Sequence, residues 1–223
     1  MQVIRTPTIS IFLYFPKLMA NRSAEEVENH FDVNVFGQMR VLRAVLPGMR
    51  AQKSGVVANL GSIGGWSGTP AAGLYCASKA AIAIYTEALR GELDEFGIKT
   101  TCIEPGYFRT NFLANDGGHK IRAKRHIPEL ASVTQRTGSA LTAYNQHQPG
   151  DPAKGAQVIV EALTQTGRCQ GRDLSPRLAL GSDAVQAIGA ALDRNREGLD
   201  MWKDLVATTD TDDVQQRNIS QVI

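Results

Sequence analysis

The sequence predicts an α/β fold, a parallel sheet with flanking helices, and three stretches carry that expectation. The apolar run Val56-Val57-Ala58-Asn59-Leu60 reads as a buried strand. Residues 74–96 have a helical composition and stop at Gly97. Ile98-Lys99-Thr100-Thr101-Cys102-Ile103 then reads as a second strand, ending at Glu104-Pro105-Gly106. Strand, helix and strand in that order form a βαβ unit, whose strands are parallel.

With 223 residues, 43% hydrophobic and 21% charged, the chain is long enough for one sizeable core, and one domain is the simplest organisation. A net charge of +2 and a pI near 8.5 are too mild to argue for nucleic acid. Lys120, Arg122, Lys124 and Arg125 make a modest cluster, expected as a solvated helix face. Cys76, Cys102 and Cys169 are odd in number and lack metal-ligand spacing, which argues against a disulfide framework or a metal site. Reduced thiols in a cytoplasmic compartment fit best. Cys76 adjoins Tyr75 but points about 100° around the helix, so it is expected to pack. His30, His119, His126 and His147 are dispersed and expected at the surface or in helix packing.

Residues 1–22 form a divergent leader. Its run Ile9-Ser10-Ile11-Phe12-Leu13-Tyr14-Phe15 is strand-like and too short to span a membrane, and Met19-Ala20-Asn21 offers no clean cleavage site. Ser23-Ala24-Glu25-Glu26 is a capping box. Val27, Phe31, Val35, Met39, Leu42, Val45 and Met49 then recur at helical spacing and predict one helix of about 25 residues, with Pro47 placed to kink its end. Asn34 inside it is either a tolerated polar residue or one whose amide or freed carbonyl holds a water.

Loop 61–73 is rich in glycine and small residues. It lacks the G-x-G-x-x-G order and has Thr69-Pro70 before the next helix, so a loop carrying Ser62 is a better account than a phosphate cradle. A polar stretch, 113–149, carries a helix near 127–146. Asp151 as N-cap and Pro152 in the first turn start another, whose apolar face is Val158, Ile159, Ala162 and Leu163. A last helix runs over about 184–206, and 208–223 is expected to fray.

Chemistry concentrates between Ser62 and Lys79. Tyr75 and Lys79 are four apart and share a helix face, and a cation beside a phenol favours the phenolate. Tyr75 could then exchange a proton with an alcohol or carbonyl oxygen, with Ser62 folded back onto the same oxygen. Pro105-Gly106 lies, like Ser62, at a strand's carboxyl end, where parallel sheets bind ligands.

Ser62, followed thirteen residues later by Tyr75-Cys76-Ala77-Ser78-Lys79, resembles the active site of the short-chain dehydrogenase/reductases. Asn34 within Phe31-Asp32-Val33-Asn34-Val35-Phe36-Gly37, the strand-end Pro105-Gly106, and Thr110 agree in order. The resemblance implies a Rossmann-like sheet in a single domain over 23–207 and an NAD(P)-dependent oxidoreductase that interconverts a secondary alcohol and a ketone. Its catalytic residues would be Asn34, Ser62, Tyr75 and Lys79. Tyr75, Lys79, Pro105, Gly106 and Thr110 would bind NAD or NADP, and the substrate would be a small alcohol or ketone. Helices 24–50 and 74–96 would pair with their copies in a homodimer or homotetramer, aided by the Ala-rich side of the second. Arg177-Leu178-Ala179-Leu180-Gly181-Ser182-Asp183 resembles the last strand and turn of the 17β-hydroxysteroid- and retinol-dehydrogenase-like branch.

The family normally begins with strand, Gly-rich turn, helix and strand, yet no Gly-x-x-x-Gly-x-Gly turn precedes Ser62 and no Asn-Asn-Ala-Gly precedes the Asn34 helix. The expectation is therefore a Rossmann-type domain truncated in its N-terminal, cofactor-binding half. Two functions stay open, the oxidoreductase and an inactive truncated form that keeps only the dimerisation helices.

Overall fold

The computed structural model describes residues 23–114 and 127–211. The leader, the basic cluster, His119, His126 and the tail beyond 211 lie outside the described residues.

The capping box forms as predicted: Ser23 Oγ accepts the Glu26 N–H at 3.2 Å and the Glu26 carboxylate accepts the Ser23 N–H at 3.0 Å. It opens α1 (Ala24–Phe31), which continues through a π-helical turn, Asp32–Phe36, into α2 (Gly37–Gln52). The single long helix is present, but its irregularity falls at Asn34, and α2 runs on past Pro47. A widened turn lets side chains reach into the backbone ladder. Asn34 Nδ2 donates to the His30 carbonyl at 3.0 Å, and Gln38 Nε2 to the Asn34 carbonyl at 2.7 Å.

The order continues β1 (Gly55–Leu60), α3 (Gly73–Leu93), β2 (Ile98–Pro105), α4 (Ala131–Tyr144), α5 (Pro152–Thr164), β3 (Arg177–Leu180) and α6 (Ser182–Val206). Gly97, at φ +65°, takes the left-handed conformation that turns the chain from α3 toward β2. β2 outruns its predicted end because Glu104 and Pro105 pair with Ala179 and Leu180 of β3. Helix α4 is shorter than predicted at both ends, and a 3-10 turn, Pro128–Leu130, precedes it. Asp151 caps α5 as expected, accepting from the Ala153 and Lys154 N–H groups at 2.8 and 3.2 Å.

The three strands form a parallel sheet in the order β1-β2-β3. Successive strand residues face opposite sides. Val57 packs with Leu42 and Leu46 of α2 and Leu89 and Leu93 of α3, while Ala58 and Ile103 pack with Ala162 and Leu163 of α5. Helices thus cover both faces, as a parallel sheet requires. All three cysteines are free, and no cluster of potential metal ligands occurs among the described residues.

Candidate active site

β1 and β2 are in register, Leu60 opposite Ile103, so Ser62 and Pro105-Gly106 leave the sheet at the same carboxyl edge. A cavity of about 630 Å³ opens there, in the range of small-molecule sites. Ser62, Tyr75, Pro105, Gly106 and Thr110 all line it, together with apolar residues such as Phe112. Asn34 and Lys79 do not line the cavity. They are buried at 0% and 1% exposure.

Ser62 Oγ accepts the Gly64 N–H at 3.0 Å and caps the 3-10 turn Ile63–Gly65, which fixes the hydroxyl at the loop's start. The same hydroxyl acts on the Tyr75 phenol, in the sense of lowering its pKa. Gly64 lies against that ring: a Cβ there would sit 3.1 Å from Tyr75 Cε1, tighter than ordinary contact. Behind the ring, Cys76 packs with Ala72, Leu113 and Leu141, as its position on the helix suggested.

The electrostatics differ from the expectation for Tyr75. Burial pushes the phenol well above its ordinary value, and the Ser62 side chain only partly opposes this. Lys79 does share the face, with Nζ 5.8 Å from the Tyr75 ring centroid. Its ammonium, however, donates to the Leu60 carbonyl at 2.9 Å. Burial pushes it down to about 8. Desolvation therefore dominates both groups, and the ammonium donates to a strand-end carbonyl.

Behind Lys79 lies a buried polar line that the sequence reading missed. Gln38 Oε1 accepts the Leu60 N–H at 3.3 Å while its amide nitrogen holds the Asn34 carbonyl. His30 Nε2 and Ser78 Oγ are 3.1 Å apart, and Ser78 donates to the Tyr75 carbonyl at 2.8 Å. His30, Asn34 and Gln38 recur every four residues, a polar stripe within an apolar-periodic helix, and that spacing was the available signal. His30 packs between helices as expected, fully buried.

A second unforeseen cluster holds the loop after Ser62. Trp66 Nε1 donates to Glu104 Oε2 at 2.8 Å, and Arg177 Nε donates to Glu104 Oε1 at 2.9 Å. The Arg177 guanidinium lies 3.7 Å from the Trp66 ring centroid. Beyond β2, Asp183 Oδ2 accepts the Tyr107 N–H at 2.7 Å and ties the Pro105-Gly106 turn to α6.

A parallel sheet covered by helices on both faces, with a cavity at its carboxyl edge, is a Rossmann-like arrangement that known proteins share. The family model for short chain dehydrogenase matches residues 15–120. The crystal structure of a short-chain dehydrogenase from Streptomyces avermitilis superposes with a TM-score of 0.74 at 35% identity, over 88% of this chain and 68% of that one. The chain belongs to the short-chain dehydrogenase/reductase family. An oxidoreductase of Schizosaccharomyces pombe is 34% identical over 146 residues, 66% of this chain and 59% of that protein. A 3-ketodihydrosphingosine reductase of Bacteroides thetaiotaomicron is 44% identical over 111 residues, 50% of this chain and 38% of that one. The chain thus spans 59% and 38% of the lengths of these two relatives.

Proposed function

We propose that this chain is an NAD(P)-dependent oxidoreductase of the short-chain type that interconverts a secondary alcohol and a ketone. One observation carries the reading: Ser62, Tyr75 and Thr110, from three separate segments, converge on one cavity at the carboxyl ends of parallel strands. Tyr75 moves the proton to or from the substrate oxygen. Ser62, which lines the same cavity as the phenol, orients that oxygen. Asn34, behind the cavity, serves a water relay through the buried helix turn that carries it. Lys79, whose Nζ lies 5.8 Å from the Tyr75 ring centroid, would lower the phenol's pKa and hold the ribose of the cofactor. Pro105, Gly106 and Thr110, which line the cavity with Tyr75, would border the nicotinamide. The cofactor, NAD or NADP, supplies hydride transfer at its nicotinamide.

Residues 23–207 act as one domain in this reading, and the protein works in the cytoplasm. Three free cysteines support that placement, and no described helix is long and apolar enough to cross a membrane. A homodimer or homotetramer pairs the long helices: Phe36, Val41 and Ile84 are 44–60% exposed on them. Ala77 and Ala88 are exposed on α3 with Ile84.

A second reading, a chain that keeps the family's helices without turnover, is favoured by the Lys79 ammonium resting on Leu60. Fluorescence and calorimetric titration with NADH and NADPH separate the two. Saturable binding of either supports the oxidoreductase, and no binding of either leaves the second reading.

A further inference from the structure

Leu60 is the last residue of β1, and its N–H and C=O face away from β2, since Gly61 N–H bonds Ile103 on the other side. An edge residue of this kind ordinarily needs a neighbouring strand or water. Here two side chains take that place. Gln38 Oε1 accepts the Leu60 N–H at 3.3 Å, and Lys79 Nζ donates to the Leu60 carbonyl at 2.9 Å. Gln38 is held at its other end, 2.7 Å from the Asn34 carbonyl, and is 2% exposed. The chain Asn34–Gln38–Leu60–Lys79 thus runs from the π turn of the first helix to the lysine on α3.

We propose that Gln38 is a positioning residue for Lys79: by pinning Leu60 it fixes the carbonyl on which the ammonium rests and so sets where that ammonium stands relative to Tyr75. Removing the Gln38 amide leaves a buried carbonyl and an edge N–H unpaired, so Leu60 shifts to find other partners. The ammonium then loses a fixed acceptor. The inference rests on Tyr75 and Lys79 being the proton-transfer pair, but the Lys79 contact is measurable without turnover.

The experiment is competitive acetylation of the whole chain without cofactor, read by peptide mass spectrometry, with the exposed Lys53, Lys99, Lys154 and Lys203 as internal standards. A buried ammonium that loses this acceptor deprotonates more readily, so Gln38→Met is expected to raise Lys79 acetylation at pH 7, where most of the wild-type amine is still protonated, by about three-fold or more. Gln38→Glu still accepts from the Leu60 N–H and adds a negative charge, so Lys79 acetylation is expected to fall below wild type. An unchanged Lys79 rate in Gln38→Met, with the standards also unchanged, overturns the proposal. If far-UV circular dichroism shows that Gln38→Met has unfolded, which by itself would bare Lys79, Gln38→Glu decides: a Lys79 rate at or above wild type overturns the proposal. A wild-type chain that binds no nicotinamide nucleotide, yet shows these changes, refutes the oxidoreductase reading and leaves the Gln38 role standing.

Discussion

Replacing Arg177 with methionine is expected to cost more stability than any surface change, because Glu104 cannot be left alone where it lies. Glu104 is 1% exposed, and two Arg177 nitrogens and the Trp66 indole satisfy it. Arg177 also reaches Glu87 at 3.3 Å, but that carboxylate is 40% exposed, so water and salt screen the pair and it contributes little. Methionine keeps the apolar contact with Trp66 and removes the charge. Breaking a buried ion pair from one side costs about 3–5 kcal/mol. For a chain of this length that lowers Tm by on the order of 10 °C. Urea unfolding followed by far-UV circular dichroism measures it, and the double variant Arg177→Met/Glu104→Met completes a cycle. The double variant is expected to recover most of the loss, since apolar pairs often replace buried ion pairs at little cost. A loss below about 1 kcal/mol in Arg177→Met alone, the range of exposed pairs, would refute the reasoning.

Tyr75→Phe is expected to lower kcat by about 100-fold or more while unfolding free energy changes by about 1 kcal/mol, since the ring keeps its packing and only the hydroxyl is lost; steady-state kinetics beside urea unfolding checks both. Gly155→Ala is expected to cost about 1–3 kcal/mol, because its Cβ would meet the Phe108 ring at 2.5 Å, and differential scanning fluorimetry against wild type reads the loss. For Lys79 the folded pKa, about 8, lies below the ordinary 10.5, so the unfolded chain binds the extra proton between those values and stability rises with pH from about 8. Burial pushes the Cys102 thiol up to about 12 from 9.0, which works in the opposite sense once pH exceeds the unfolded thiol's value. The rise is therefore confined to about pH 8–9 and amounts to about 1 kcal/mol. Urea midpoints across that window should climb for wild type and stay flat for Lys79→Met.

Local signals made much of the fold legible. The capping box at Ser23, the Asp151-Pro152 start and the Gly97 stop each act within a few residues, and each appears where its sequence placed it. Ser62 and Tyr75 were legible from their chemistry and spacing, Thr110 from the family resemblance, and one cavity gathers all three. What could not be read depends on partners distant in sequence. Glu104 meets Arg177 across 73 positions, and Trp66 meets Glu104 across 38. The spacing of Tyr75 and Lys79 placed both on one face, yet the direction of the ammonium is decided by Leu60, at the end of a strand 19 residues earlier. The π turn was likewise hidden, because the bonds of Asn34 and Gln38 to helix carbonyls stabilise it, and helical periodicity does not report such bonds.

The most direct test of the proposed chemistry follows the hydride itself. NADH or NADPH carrying deuterium at C4 is incubated with the chain and a panel of apolar ketones, and the products are examined by mass spectrometry. Deuterium on the carbinol carbon of at least one product, absent with Tyr75→Phe, is the predicted result. No labelled alcohol from any ketone with either nucleotide, from a chain shown to be folded, would contradict it.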